Sequence, residues 1–183
     1  MAKKEKIAKK DIVKANLISN KVITEPSDLA LDLYNQSRFG AVLENKKLQL
    51  SLIEALYLIE KGKVSVYSGK KKINFEQLMK KAEKHEPNVL TRFTVFRDLR
   101  NRGYIVKTAL KFGADFRVYE RGFKPGEAHA KWIVYPVEEE SAMTWYEFAA
   151  KTRVAHSTKK RLLIGIVDNE CDVTYYEIKW TRP

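Results

Sequence analysis

The sequence predicts a mixed α/β (α+β) chain in two parts. A small mixed α/β N-terminal domain spans residues 1–87, and a C-terminal domain over 88–183 packs helices on a mixed β-sheet. Three observations carry this. Apolar residues recur at helical spacing in some stretches and alternate, or run unbroken, in others, so helices and strands are interleaved. Ser, Thr or Asn with Glu or Gln three residues later marks helix starts, while Gly, Pro and Asn mark turns. At Glu86-Pro87-Asn88 a helical run stops and another begins, which sets the boundary at Pro87.

Taken in order, residues 1–10 hold five lysines and one glutamate and read as a basic, solvated tail. Apolar pieces on either side of Ser19-Asn20 suggest a hairpin. Pro26 to Arg38 reads as a helix with Ser27 as cap, Leu29, Leu33 and Tyr34 on one face, and Gly40 just past its end. Leu48 and Leu50 alternate with polar residues, as in a strand. Ser51 and Glu54 then have capping-box spacing, and LIEALYLIEK, apolar on most sides, is expected at the centre of the first core. Val64, Val66 and Tyr67 form a strand before the SGKK turn. Asn74, with Gln77 in the reciprocal position, opens a helix reaching His85, whose place in the last turn suits a dipole-complementing surface residue.

Asn88 is expected to cap the next helix, with Leu90, Phe93, Phe96 (or Val95) and Leu99 on its core face and Gly103 at its end. Three strands come next, at Tyr104–Thr108, Ala114–Glu120 and Ala128–Val137. After the acidic connector Glu138-Glu139-Glu140, Thr144 and Glu147 form another capping box. It opens a helix expected to turn Trp145, Phe148 and Ala149 to the sheet. The run Leu162 to Val167 suits a strand buried on both faces, and VTYYEIKW the last strand.

Of 183 residues, 35 are lysine or arginine and 23 are acidic, a formal charge of +12. That excess favours a polyanionic partner, most simply nucleic acid. The single cysteine, Cys171, excludes an internal disulfide and a Cys-rich zinc site. No apolar run is long enough to span a membrane, and MAKKEKIAKK lacks the apolar stretch of a signal peptide, so a cytoplasmic protein with no membrane partner is expected.

The chemistry concentrates between Arg102 and Pro136. The loop RGFKPGE, punctuated by Gly122, Pro125 and Gly126, has Tyr119 before it and His129 after it. Lys107, Lys111, Arg117, Arg121, Lys124 and Lys131 surround them. A rim of proton-transfer groups in a positive field suits a phosphate substrate. GYIVKT, then KFGADFRVYERG, a histidine ten residues after the tyrosine, and finally RVAHSTKKRLLIGIVD resemble the archaeal tRNA-splicing endonuclease (tRNA-intron endonuclease) family. The resemblance covers most of the chain and is strongest from about residue 89 onward.

It implies removal of introns from precursor tRNA at bulge–helix–bulge junctions, without metal or cofactor, leaving 2′,3′-cyclic phosphate and 5′-hydroxyl ends. RNA cleavage of this kind needs a base for the 2′-hydroxyl, an acid for the leaving 5′-oxygen and a cation for the phosphoryl charge. The resemblance assigns these to Tyr119, His129 and Lys160. Tyrosine is an unusual base, with an ordinary pKa of roughly 10, although nearby cations favour the phenolate. Lys160 stands between Lys159 and Arg161, and the residues alone do not choose among the three. The family register, with lysine four residues after His156, selects Lys160, and His156 reads as a supporting residue. The resemblance further implies that Arg153 and Trp180 hold a bulged base between them by stacking. It also implies that the acidic loop containing Asp168, Glu170 and Asp172 inserts into a basic groove of a neighbouring subunit.

Two other readings stand beside this one. A metal-dependent nuclease would use Asp115 and an acidic-x-lysine pair, but Glu127-Ala128-His129 puts histidine where lysine belongs. A non-catalytic subunit of the same complex would lack the Tyr–His–Lys set, which is present here. Among the assemblies the resemblance implies, a chain of 183 residues leaves a homotetramer, or a heterotetramer with a structural subunit, as the expectation.

Overall fold

A computed structural model describes residues 12–181, so the lysine-rich residues 1–10 lie outside the described part. The chain forms two compact units that divide between Val89 and Leu90.

In the first unit, β1 (Val13–Ile18) and β2 (Lys21–Thr24) form an antiparallel hairpin, with Ser19 in the left-handed conformation. Helix α1 (Asp28–Ser37) starts where expected, the Ser27 hydroxyl accepting from the Ala30 N–H at 3.1 Å. Its end differs from expectation. Arg38 itself takes the left-handed position, and Gly40 serves another purpose: an added Cβ would lie 2.5 Å from the Gln49 carbonyl oxygen. Leu29 is exposed, and the buried face of α1 runs through Ala30 and Leu33 instead.

The short strands β3 (Ala41–Val42) and β4 (Leu48–Leu50) precede helix α2 (Leu52–Glu60). Then come β5 (Val64–Ser68), β6 (Lys71–Ile73) and helix α3 (Phe75–Glu83), capped by the Asn74–Gln77 box. The sheet order is β3-β4-β2-β1-β5-β6, with only β1 and β5 parallel among its pairs. Every residue of α2 from Leu52 to Leu58 is buried. Each fully buried leucine there contributes roughly 1.5–3 kcal/mol of transfer free energy. His85 falls just past α3, in a turn.

The second unit runs α4 (Val89–Asn101), β7 (Ile105–Ala109), β8 (Ala114–Tyr119), β9 (Trp132–Glu138), α5 (Trp145–Ser157), β10 (Arg161–Val167) and β11 (Val173–Ile178). Its sheet order is β11-β10-β9-β8-β7, and β9 and β10, joined through α5, are the parallel pair. The helices take opposite faces. On one, Phe96 of α4 meets Phe116 with ring centroids 5.8 Å apart, and a Cβ at Gly165 would stand 3.1 Å from Val95. On the other, Ala155 of α5 packs with Ile133, Tyr135, Leu162 and Ile164.

Four expectations need correction here. Asn88 has φ 55°, not the extended backbone of a cap, and Leu90 is 52% exposed. The third strand begins at Trp132 rather than Ala128. The N–H groups of Glu127 and Ala128 both donate to the Lys124 carbonyl, closing a turn on itself and leaving that backbone unavailable to the sheet. Trp145 is 85% exposed and Ala149 is exposed too. Burial in α5 falls on Thr152 and Ala155, with Phe148 and Val154 packed beside them.

Candidate active site

Strand β8 alternates its side chains, so Arg117 and Tyr119 leave the sheet on the face covered by α5, opposite Phe116 and Val118. Tyr119, the last residue of β8, is buried and pairs in register with Ile105. The next loop folds back through Gly126, with φ 95°, a conformation glycine adopts without steric cost. It presents His129 at the surface. Lys160 arrives from the other direction. Its N–H donates to the Ala155 carbonyl at 2.8 Å, tying it to the end of α5 immediately before β10.

These segments enclose a cavity of about 350 Å³ lined by Arg117, Tyr119, Glu127, His129 and Lys160, with Phe112 and the loop backbone completing the wall. The Lys160 Nζ donates to the Thr158 carbonyl at 2.8 Å and lies 5.3 Å from the Phe112 ring centroid. Partial burial, and then the neighbouring Arg117 charge, hold its pKa below the ordinary lysine value. The geometry also separates the three adjacent cations. Lys159 has a left-handed backbone and is exposed, and Arg161 pairs with Glu177 at 2.9 Å. Lys160 alone of the three lines the cavity with Tyr119 and His129.

A second cavity, of about 310 Å³, adjoins the first through Lys160 and is lined by His156, Lys179 and Trp180 among others. The Trp180 ring lies 4.3 Å from that of His156, a contact the sequence reading did not foresee. Arg153 is exposed on α5 and lines neither of these two cavities. In the acidic loop, Asp168 Oδ1 accepts from the N–H groups of Glu170 at 3.0 Å and Asp172 at 2.9 Å. Asp168 thus shapes the loop, while the Glu170 and Asp172 side chains point outward as exposed charges. Asp115 forms an ion pair with Arg92 at 2.6 Å and does not line the cavity with His129.

Arg117 is the residue the sequence reading left undistinguished among the surrounding cations. A signal existed: it lies two positions before Tyr119 in a strand, and hence on the same face.

The cavity offers a buried phenol, an exposed imidazole and cations around a space large enough for a phosphodiester. The family model for the tRNA intron endonuclease catalytic C-terminal domain matches residues 89–175, and that for the N-terminal domain matches residues 13–79. A tRNA-splicing endonuclease of Thermococcus kodakarensis is 41% identical over 166 residues, covering 91% of this chain and 96% of that protein. One from Nanoarchaeum equitans is 44% identical over 141 residues, 74% of this chain and 90% of its own. Another, from Methanothermobacter thermautotrophicus, is 40% identical over 167 residues, 91% of this chain and 96% of its own.

Proposed function

The chain belongs to the tRNA intron endonuclease family and removes introns from precursor tRNA, and from that premise we propose the chemistry by which it cuts. Tyr119 takes the proton of the 2′-hydroxyl at the junction. The 2′-oxygen attacks the adjacent phosphorus, the bond to the 5′-oxygen breaks, and His129 gives that oxygen its proton. Lys160 holds the negative charge that grows on the phosphoryl oxygens. The products are a 2′,3′-cyclic phosphate and a 5′-hydroxyl, with no metal or cofactor in the reaction.

The observation that carries this reading is that Tyr119, His129 and Lys160, from a strand end, a loop and a helix end, line one cavity. The decisive substrate has a single 2′-deoxynucleotide at the junction. Wild-type protein should leave it intact in EDTA and monovalent salt while cutting the all-ribose RNA under the same conditions. Cleavage of the deoxy substrate would mean water or a side chain is the nucleophile.

The catalytic domain is residues 88–183, and residues 1–87 take no part in the bond-breaking step. The substrate feature is a bulge–helix–bulge, with one bulged base held between Arg153 and Trp180. Trp180 borders the Lys160 cavity, which supports its part in this. Arg153 must gain its stacking partner on RNA binding. Truncating either to alanine should slow cleavage of the structured bulge more than that of a flexible strand, and equal losses would remove the clamp. The working form is a cytoplasmic tetramer, of this chain alone or with a structural subunit. The loop of Asp168, Glu170 and Asp172 joins dimers that pair through β11. Lysine at all three positions should leave a folded dimer that cuts poorly, and an unchanged tetramer by sedimentation would end that proposal. Because the Tyr–His–Lys set is present, the chain is read as a catalytic subunit rather than a non-catalytic one.

A further inference from the structure

The cavity of Tyr119, His129 and Lys160 contains one more cation with no partner of its own. The Arg117 Nε is buried and has no hydrogen-bond acceptor, and among the described residues no carboxylate pairs with the guanidinium. Its protein neighbours are the Tyr119 ring, whose centroid is 6.0 Å from Cζ, and the Lys160 ammonium, which its charge disfavours. Glu127 is the single acid among the residues lining the cavity, and it is exposed. A buried donor without an acceptor costs roughly 1–3 kcal/mol, and more when it is charged. Two cations side by side add repulsion. The fold therefore holds here an arrangement that an arriving anion would relieve.

The two cations differ in kind. An ammonium is a compact point charge, whereas a guanidinium presents a rigid fork that matches two oxygens of a phosphate. The Arg117 backbone is fixed in β8, paired in register with Lys107 on one side and Ile133 on the other, and burial of its Nε limits what a ligand has left to organise.

We propose that Arg117 is a fourth catalytic group, donating to a non-bridging oxygen of the scissile phosphate beside Lys160. This rests on the cleavage chemistry proposed above. It adds a defined hydrogen bond to one prochiral oxygen, where the lysine supplies charge.

The test uses full-length protein and precursor RNA with a phosphorothioate of single configuration at the junction. Wild type should cut one diastereomer more slowly than the other, because sulfur is a poorer acceptor at the oxygen Arg117 holds. Arg117→Gln should cut the all-oxygen junction roughly 10²–10³ more slowly, the usual cost of one oxyanion donor. It should also cut the two diastereomers alike. Arg117→Lys should recover part of the rate without recovering the discrimination, and it carries the test if the Gln variant does not fold.

The proposal is overturned if wild type treats the diastereomers equally or if Arg117→Gln cuts at the wild-type rate. It is equally overturned if the variant is slow but keeps the wild-type preference, since a merely structural arginine would behave that way. Cleavage of the 2′-deoxy junction by wild type would instead sink the parent mechanism. A deoxy-inert enzyme indifferent to Arg117 would sink only this step.

Discussion

Helices α2 and α5 begin alike, with capping boxes of Ser51 and Glu54 in one and Thr144 and Glu147 in the other. Beyond their first turns they diverge. The Glu54 carboxylate is buried and also accepts from the Gly40 N–H at 2.9 Å, and Glu54 is itself one of seven consecutive buried residues of α2. Glu147 is exposed, Trp145 and Tyr146 stand in solvent, and only Thr152 and Ala155 of α5 are buried. One helix is committed along its length to a core. The other uses its last turns to grip the sheet and then hands Lys160 to the cavity. The same local start signal thus serves a core in one unit and the placing of a cavity cation in the other, and substitutions should separate the two.

The largest expected effect lies on the chemical side. His129→Ala should lower the single-turnover rate by roughly 10²–10⁴, as for one general acid or base, with RNA affinity and thermal midpoint little changed. Wild-type turnover by this variant would exclude the histidine. On the other side, Leu56→Ala in α2 should cost about 2–5 kcal/mol in denaturant unfolding, with cleavage per folded molecule retained. A matching loss of turnover at temperatures where the variant is fully folded would break the separation. Thr144→Ala should weaken α5 by roughly 1 kcal/mol, since it removes one capped donor from an exposed helix start.

The smallest effect is a gain. Lys160 is held below its ordinary value, so its charged form is disfavoured in the folded state. That penalty is full below the folded pKa and disappears as pH rises towards the unfolded value of 10.5. Lys160→Met should therefore raise the thermal midpoint slightly at neutral pH, and the gain should shrink in alkali. A lower midpoint at neutral pH would contradict the idea that the site holds its cation at a cost to stability.

The sequence made visible whatever depends on near neighbours. The boxes at Ser51, Asn74 and Thr144 rest on spacing of three, and the hairpin at Ser19-Asn20 on one turn. The alternation of short strands is as local, and so is the continuous apolar run of β10. The features that stayed hidden depend on the rest of the fold. Trp145 looks like a core residue until α5 is seen to meet the sheet only from Phe148 onward. Ala128 to Lys131 look like strand until the Lys124 carbonyl is seen to take two of the loop's N–H groups. The left-handed backbone at Lys159 is what sets Lys160 apart from its basic neighbours, and no run of three cations announces it. For Tyr119, His129 and Lys160, the residues alone suggested phosphate chemistry, and their individual roles came from the family resemblance.

Gly165 bears on how such a sequence can change over generations. Its missing side chain lets the buried Val95 of α4 approach the sheet so closely that any Cβ would meet both that residue and Tyr175. Position 165 is therefore not free to drift by itself. A larger residue there asks Val95 and Tyr175 to give way, and it costs less once Val95 has become smaller, so the two sites are coupled and the order of substitution matters. Gly165→Ala should be harmful in the present background and milder beside Val95→Ala. A double-mutant cycle showing simple additivity would mean that α4 can shift to make room.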